Sequence, residues 1–291
     1  MKQMKQVFAI STLSGLILAC LIGFQNCSKV AFTEDAAASS LIKNGITDDS
    51  TSNSNNNNSG DDSNCRVDLI NSTKNVKVLF LIDTSGSNAS NNGAAGTDVG
   101  KTWRLNTINS FITAYGNKPN FEFAFAYFQG TKADALLKNS SGQGIFSKDM
   151  SAINQAVMDL KNIKDEGNTP YDAALSIVRS IIHYDQMVTA TKDAGYVVVM
   201  VSDGSPTNTS YTDSKNGITN LTNDVNAILA EAPKQISLNT VYLYNQAVPT
   251  ASQKSYLQKI SSLGSGAFIE ASSNQTLQIS DTVQVPKTVC N

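Results

Sequence analysis

Three oxygen-bearing side chains, Asp83, Ser85 and Ser87, stand at alternate positions directly after the apolar run of residues 78–82. Carboxylate and hydroxyl oxygens are the ligands that a hard divalent cation such as Mg²⁺ prefers. A continuous apolar run of this kind predicts a central parallel strand that is covered on both faces. Parallel α/β sheets bind ligands at the carboxyl ends of their strands, so we expect these oxygens to lie in a ligand site.

Two further side chains of the same chemistry follow later in the chain. Thr169 stands where a predicted helix begins, and Asp203 follows a second buried run, residues 196–201. If the two buried strands are neighbours in the sheet, Asp83 and Asp203 converge with the hydroxyls on one spot. Each residue alone could instead be an ordinary helix cap or turn residue. The coincidence of all five at the ends of elements favours a shared ligand site.

Strand and helix patterns alternate along the rest of the chain. The predicted strands are 76–82, 121–128, a short possible edge strand at 133–137, 196–201, 236–243 and 266–270. The predicted helices are 105–115, 153–163, 171–182, 221–230, 252–263 and a last one near 276–282. This alternation predicts an α/β fold with a doubly wound, mostly parallel sheet and helices on both faces. We expect one such domain over residues 65–291.

The three polar segments also carry a family resemblance. D-x-S-x-S at residues 83–87, G-x-T-P-x-x-x-A-L at 167–175 and S-D-G at 202–204 resemble the metal ion-dependent adhesion site (MIDAS) of von Willebrand factor type A (vWA) domains. The resemblance spans residues 65–290 and implies a Rossmann-like fold with one antiparallel edge strand. It also implies a complete set of metal ligands, which would be Asp83, Ser85, Ser87, Thr169 and Asp203.

The ligand set that the resemblance implies suits Mg²⁺ first, with Mn²⁺ or Ca²⁺ as alternatives. Two carboxylates do not fully neutralise and enclose such an ion, so one position stays open for an outside oxygen. An acidic group on a protein or glycan partner would be its natural ligand. Two polar loops, residues 88–100 and 208–217, are predicted beside the site and could contact that partner. For the first loop, a tolerated surface insertion is the alternative.

The amino terminus is typical of a secretory signal over residues 1–27, because a short basic segment precedes the apolar run 7–24. A membrane anchor helix is the alternative. Cys20, after Ile-Leu-Ala, and Cys27, at the end of the apolar run, each resemble the lipidated cysteine of a bacterial lipoprotein. Lipidation at Cys27 is favoured because it leaves two cysteines, whereas lipidation at Cys20 leaves an unpaired thiol at Cys27.

A Ser-, Asn- and Asp-rich segment, residues 28–64, predicts a disordered linker that would act as a tether. Cys65 and Cys290 flank the periodic segments, and an exported protein can keep a disulfide, so we predict that they pair. Such a bond would fasten the carboxyl end and prevent a large sliding motion of the last helix. The expected location is the bacterial outer membrane or cell surface, facing the periplasm or the exterior.

Other functional classes are disfavoured. The 291-residue chain has a formal net charge of -2 and no dense Lys/Arg block, so no nucleic acid is expected. Residues 96–102 resemble a phosphate-binding loop, but three residues separate the glycines instead of four, so no nucleotide is expected. His183 is the only histidine and has no indicated nucleophile, and Asp165 and Glu166 predict a solvated turn.

We therefore predict that the protein is not an enzyme but a membrane-tethered, metal-dependent binding module similar to an adhesin. The alternative is a structural or assembly subunit of a cell-envelope complex that docks through the same site.

Overall fold

Strands and helices alternate along the folded part of the chain, and all described elements belong to one compact unit, Gly60–Asn291. The computed structural model describes residues 66–68, 72, 74–90, 95–189, 193–207, 209–213, 216–245, 248–275 and 282–286. The strands are Arg66–Asp68 (β1), Val76–Asp83 (β2), Phe121–Gln129 (β3), Lys132–Ala135 (β4), Gly195–Ser202 (β5), Ile236–Tyr244 (β6), Ser265–Ser272 (β7) and Gln284–Pro286 (β8). The helices are Thr102–Tyr115 (α1), Met150–Asn162 (α2), Tyr171–Val188 (α3), Thr209–Thr212 (α4), Gly217–Glu231 (α5) and Ala251–Leu263 (α6).

The main sheet has six strands in the order β4-β3-β2-β5-β6-β7. Neighbouring strands run parallel except β3 and β4, which are antiparallel. β2 and β5 occupy the centre, and every residue of both strands is buried. Their long apolar runs suit this place because helices cover a central parallel strand on both faces. The predicted α/β fold with one antiparallel edge strand is confirmed.

Two hydrophobic cores hold the sheet between helical layers. α1 and α2 pack on one face, and α3, α5 and α6 pack on the other. Successive side chains of β2 point to opposite faces, so Phe80 lies in the first core and Leu79 and Leu81 lie in the second. Phe80 meets Phe111 of α1 edge to face, with ring centroids 5.4 Å apart. This double packing fixes the positions of the central strand ends, which carry the predicted site.

A small second sheet pairs β1 with β8 in antiparallel orientation, with Arg66 opposite Pro286. It was not predicted, because a strand of three residues has too few positions to show an alternating pattern. The pairing joins segments that lie near the two ends of the folded unit.

Several sequence predictions fall outside the described residues. They concern the lipidation candidates Cys20 and Cys27, the predicted disulfide between Cys65 and Cys290, and most of the last helix near residues 276–282. These stay predictions. In the part of the chain that the structure describes, no helix has the length and apolarity needed to cross a bilayer.

The second predicted contact loop, residues 208–217, is less open than expected. It contains the short helix α4, whose Tyr211 is 1% exposed. The Tyr211 hydroxyl donates to Asp224, and its carbonyl oxygen accepts from the Tyr256 hydroxyl at 2.7 Å. The prediction that this segment is a polar loop is therefore wrong for residues 209–212, because they form a helix and one aromatic side chain anchors it in the core; its contact with a partner stays a prediction.

Candidate metal centre

Asp83 and Asp203 lie at the same edge of the sheet because β2 and β5 are parallel neighbours. The register pairs Ile82 with Val201, so the residues that follow each strand emerge side by side. Ser202, the last residue of β5, donates its hydroxyl hydrogen to Asp83 Oδ2 at 2.6 Å. The sheet order thus brings together two acidic residues that are far apart in sequence.

A chain of hydrogen bonds links four of the five predicted ligands. The Ser85 amide donates to Asp83 Oδ1 at 2.7 Å. The Ser85 and Ser87 hydroxyl oxygens lie 3.1 Å apart, and the Ser87 hydroxyl donates to Asp203 Oδ1 at 2.7 Å. Ser87 thus connects this segment to Asp203, and Ser85 lies between Ser87 and Asp83.

The fifth residue, Thr169, lies in a loop that is bonded to the loops after both central strands. On one side, the Gly86 amide donates to Gly167 O at 3.0 Å. On the other, the Thr169 amide donates to Thr207 Oγ1 at 2.9 Å, and the Thr207 amide donates to Thr169 O at 3.1 Å. Thr169 is 5% exposed and lies between the two loops.

Gly167 allows this loop to fit. Its φ of +72° lies in the left-handed region, and an added Cβ would come within 2.9 Å of Gly130 Cα. A side chain at this position would therefore strain the backbone and push the Thr169 loop away from the strand ends.

The two carboxylates repel each other in a poorly solvated place. Burial, and after it the charge of Asp203, raise the pKa of Asp83 to about 7, although hydrogen bonds from Ser202 and Ser85 offset part of the rise. Burial also raises the pKa of Asp203, although the Thr97 and Ser87 hydroxyls offset part of that effect. Asp203 Oδ2 is buried and has no hydrogen-bond partner among the described residues.

These observations fit a hard divalent cation. The cluster offers carboxylate and hydroxyl oxygens, an unpartnered buried carboxylate oxygen and two acidic groups that lack a counter-charge. No Lys or Arg side chain in the described ranges forms an ion pair with Asp83 or Asp203. The same part of the chain holds no group of three or more His, Cys, Asp or Glu side chains suited to a metal, so this cluster depends on hydroxyls to complete the set.

A buried network of charged side chains around Arg104, which was not predicted from the sequence, supports the Asp83 end of the site. Arg104 is 1% exposed, and its Nε donates to Asp98 Oδ2 at 2.9 Å. Its Nη2 donates to Asp165 Oδ2 at 2.9 Å, and its Nη1 donates to Asp83 O at 2.5 Å. The guanidinium therefore donates a hydrogen bond to the Asp83 backbone, while its positive charge is paired with the carboxylates of Asp98 and Asp165.

Two sequence predictions change with this network. Asp165 is not solvated, because its side chain is 5% exposed and pairs with Arg104 and Lys101; only Glu166, at 55%, is in solvent as predicted. The first contact loop is anchored where it is described, since Asp98 accepts from the Trp103 amide at 2.8 Å. A signal was present in the sequence: Arg104 falls on the apolar stripe of α1, where an unpaired charge would be costly.

Two further residues that the sequence analysis considered lie outside the candidate metal centre. Lys101, in the segment that resembles a phosphate-binding loop, is 4% exposed and donates to Ile163 O at 2.5 Å. His183 lies on the exposed side of α3, where its Nδ1 is 2.7 Å from Glu231 Oε2.

The chain is similar to several solved structures at low sequence identity. No family model matches the chain, and no curated protein matches it. Among solved structures, it is similar to the PilB minor pilin from Streptococcus sanguinis (14% identity, TM-score 0.48, covering 74% of this chain and 60% of the pilin). It is also similar to proximal thread matrix protein 1 from the mussel byssus with a zinc-occupied MIDAS motif (13% identity, TM-score 0.47, covering 74% of this chain and 48% of the byssus protein).

A third similar structure is the vWF domain of the type V pili tip protein Mfa5 from Porphyromonas gingivalis (12% identity, TM-score 0.45, covering 70% of this chain and 91% of that domain). The chain thus spans less than two thirds of the pilin and of the byssus protein.

Proposed function

We propose that this protein is a divalent-metal-dependent binding module of the vWA type. One cation, Mg²⁺ first, would be held by Asp83, Ser85, Ser87, Thr169 and Asp203. The observation that carries this proposal is a pair of buried carboxylates, Asp83 and Asp203, that face each other without a cation from the chain. A bound divalent ion would supply the missing positive charge and polarise an oxygen of the partner.

The partner would bind through an acidic group. Ser87 is exposed, so the cluster opens to solvent on one side. An octahedral cation held by these five side chains has one coordination position left, and it keeps an attraction for an outside oxygen ligand at that position. A carboxylate on a protein or a glycan satisfies that attraction, and the proposed module binds it without chemical turnover.

The module would act outside the cytoplasm on a tether. We propose that residues 1–27 direct export, that Cys27 or, alternatively, Cys20 carries a lipid, and that residues 28–64 link the membrane to the domain. An adhesin at the bacterial cell surface is the leading role. The alternative, a docking subunit of an envelope complex facing the periplasm, would use the same metal site.

The first test is thermal unfolding of the purified chain in EDTA and in Mg²⁺, Mn²⁺ or Ca²⁺. A ligand that binds only the folded state stabilises it by about 2.7 kcal/mol at a hundredfold excess over its Kd. We expect such a rise in at least one metal, and its loss in Asp83→Asn. The matched control is Asp134→Asn, an exposed carboxylate on the edge strand that should keep the full rise. The same melting temperature in EDTA and in every metal would contradict the proposal.

The second test separates the two roles. Protease treatment of intact cells should remove a surface adhesin, whereas a periplasmic subunit is degraded only after the outer membrane is opened. Capture of an acidic glycan or protein surface by the wild type, but not by Asp83→Asn, would then support metal-bridged recognition.

A further inference from the structure

Lys77, Asp185 and Glu122 form a second buried ionic cluster at the amino end of β2, remote in the strand from Asp83. Lys77 Nζ lies 2.6 Å from Asp185 Oδ1 and 2.7 Å from Asp185 Oδ2. Glu122 Oε2 is 3.5 Å from the same nitrogen. The amine is therefore held against both oxygens of one carboxylate while a second carboxylate stands beside it.

Three elements hold this geometry. Lys77 and Glu122 are register partners on the parallel strands β2 and β3, so their side chains share a face of the sheet. Asp185 falls on the buried stripe of α3, which packs on that face. The exposed fractions are 1% for Lys77, 8% for Asp185 and 20% for Glu122. Only Glu122 reaches solvent to an appreciable extent.

Further groups surround the Lys77 amine and the Asp185 carboxyl group. The Tyr196 hydroxyl donates to Asp185 Oδ2 at 2.5 Å, and the Thr189 hydroxyl donates to Oδ1 at 2.9 Å. Burial raises the pKa of Tyr196, as does its bond to Asp185, so its hydroxyl stays a donor. The Phe146 ring lies 5.5 Å from Lys77 Nζ. In such a site an ion pair loses most of its hydration, and moving one proton from the ammonium to the carboxylate produces a neutral amine and a neutral acid.

We propose that Lys77 and Asp185 condense into an intramolecular amide bond, with Glu122 as the proton carrier. The lone pair of Lys77 Nζ attacks Cγ of the protonated Asp185, and the Tyr196 hydroxyl stabilises the negative charge that forms on Oδ2. The Glu122 carboxylate takes a proton from Nζ and delivers it to the other carboxyl oxygen. The bond from Cγ to that oxygen breaks, one water leaves, and the Nζ–Cγ amide remains. No oxidant or reductant is required.

A second ion pair provides an internal control. Lys254 Nζ also lies 2.6 Å from a carboxylate, that of Glu270, but the two side chains are 18% and 32% exposed. Among the described residues, Lys254 forms no ion pair with a second carboxylate. Distance alone is equal in the two pairs, so a cross-link at Lys77 and none at Lys254 would show that burial and the neighbouring Glu122 are what promote condensation.

The test is mass spectrometry of the full chain, purified folded and then denatured. The folded domain is expected to be lighter than its sequence by the mass of one water molecule. A tryptic digest should contain a branched peptide that joins Lys77 to Asp185, with no cleavage after Lys77, while the Lys254 and Glu270 peptides stay linear. Lys77→Arg keeps the charge but has no reactive amine, and Glu122→Gln keeps the shape but not the base; both should show the full mass.

A wild-type chain at its full sequence mass, with unlinked Lys77 and Asp185 peptides, would overturn the proposal and leave an ordinary buried ion pair. A cross-link that forms as fast in Glu122→Gln as in the wild type would overturn the role of Glu122. Far-ultraviolet circular dichroism of each variant confirms that it is folded, so that a missing cross-link reports on chemistry.

Discussion

The two ends of strand β2 differ in the partners that the chain provides for buried carboxyl groups. At the amino end, Asp185 has a basic partner from the chain itself, since Lys77 Nζ lies 2.6 Å from its carboxyl group. At the carboxyl end, Asp83 and Asp203 share only hydroxyl and amide donors. The comparison teaches that burial alone does not indicate a binding site. A buried carboxylate that has no positive partner in the chain does indicate a binding site, because the balancing positive charge must come from a bound ion or ligand.

The missing charge at the carboxyl end is not due to a lack of basic residues nearby. Arg104 lies directly beneath Asp83, but its guanidinium is bound to Asp98, Asp165 and the Asp83 carbonyl oxygen. Its field lowers the pKa of Asp203 only as a minor contribution. The network thus keeps the loop in place, and no ion pair with Asp83 or Asp203 is formed among the described residues.

The largest change in the free energy of unfolding is expected when the pair Lys77 and Asp185, at the amino end of β2, is broken. Lys77→Met should lower the free energy of unfolding by about 3–5 kcal/mol, because it removes the amine, and with it the proposed amide bond, and leaves the Asp185 carboxylate buried without a basic group beside it. Urea unfolding monitored by fluorescence measures this change. Lys77→Met/Asp185→Asn, which also removes the buried carboxylate, should recover much of the loss. If the single variant were within 1 kcal/mol of the wild type, the pair would not be the internally balanced site described here.

The next largest effect is a dependence of stability on pH, which is expected from Asp83 at the carboxyl end of β2. The folded pKa of Asp83 is about 7 and its ordinary value is 3.8, so between these values the folded state keeps a proton that the unfolded state releases. In EDTA, stability should therefore fall as pH rises through this window, by at most about 1.4 kcal/mol per pH unit, and stay low above it. Saturating metal should remove the fall because it favours ionised Asp83.

Urea midpoints between pH 4 and pH 8 measure this dependence, and the difference between the wild type and Asp83→Asn isolates the one group. Parallel curves for the two proteins in EDTA would show that Asp83 does not titrate in this range.

A smaller effect with a change of sign is expected for Asp203→Asn. In EDTA at pH 8 the substitution should stabilise the protein by about 1–2 kcal/mol, because it removes the repulsion between two buried carboxylates. In saturating Mg²⁺ the same variant should be less stable than the wild type, since a metal ligand is lost. Melting curves in the two conditions measure both signs. Destabilisation of equal size in both would indicate a purely structural role for Asp203.

The smallest effect is expected at an ion pair in solvent. Lys138 and Asp134 lie 2.7 Å apart but have exposed fractions of 36% and 46%. Lys138→Ala should change the free energy of unfolding by no more than about 0.5 kcal/mol, because water screens both charges with or without the partner. Measured beside Lys77→Met, it shows how much burial, rather than distance, sets the strength of a pair. A loss comparable to that of Lys77→Met would remove this distinction.

Local sequence patterns were sufficient to predict most of the fold. The apolar runs of β2 and β5 were sufficient to predict two central strands, because only strands covered on both faces keep such runs. The positions of Asp83, Ser85 and Ser87 followed from their spacing at a strand end. The short sheet of β1 and β8 and the helix α4 were missed, since elements of three or four residues have no detectable period.

The sequence by itself determined the alternation of strands and helices and the residues that stand at the strand ends, because these depend on neighbours in the chain. Only the tertiary structure decided which charges are balanced. Lys77 meets Asp185 across 108 positions, and Arg104 meets Asp165 across 61, so no local pattern shows either pair. Asp165 was therefore predicted in solvent and lies buried. The physical reason is that the energy of a charge depends on what surrounds it in space, and the folded sheet alone brings those surroundings together.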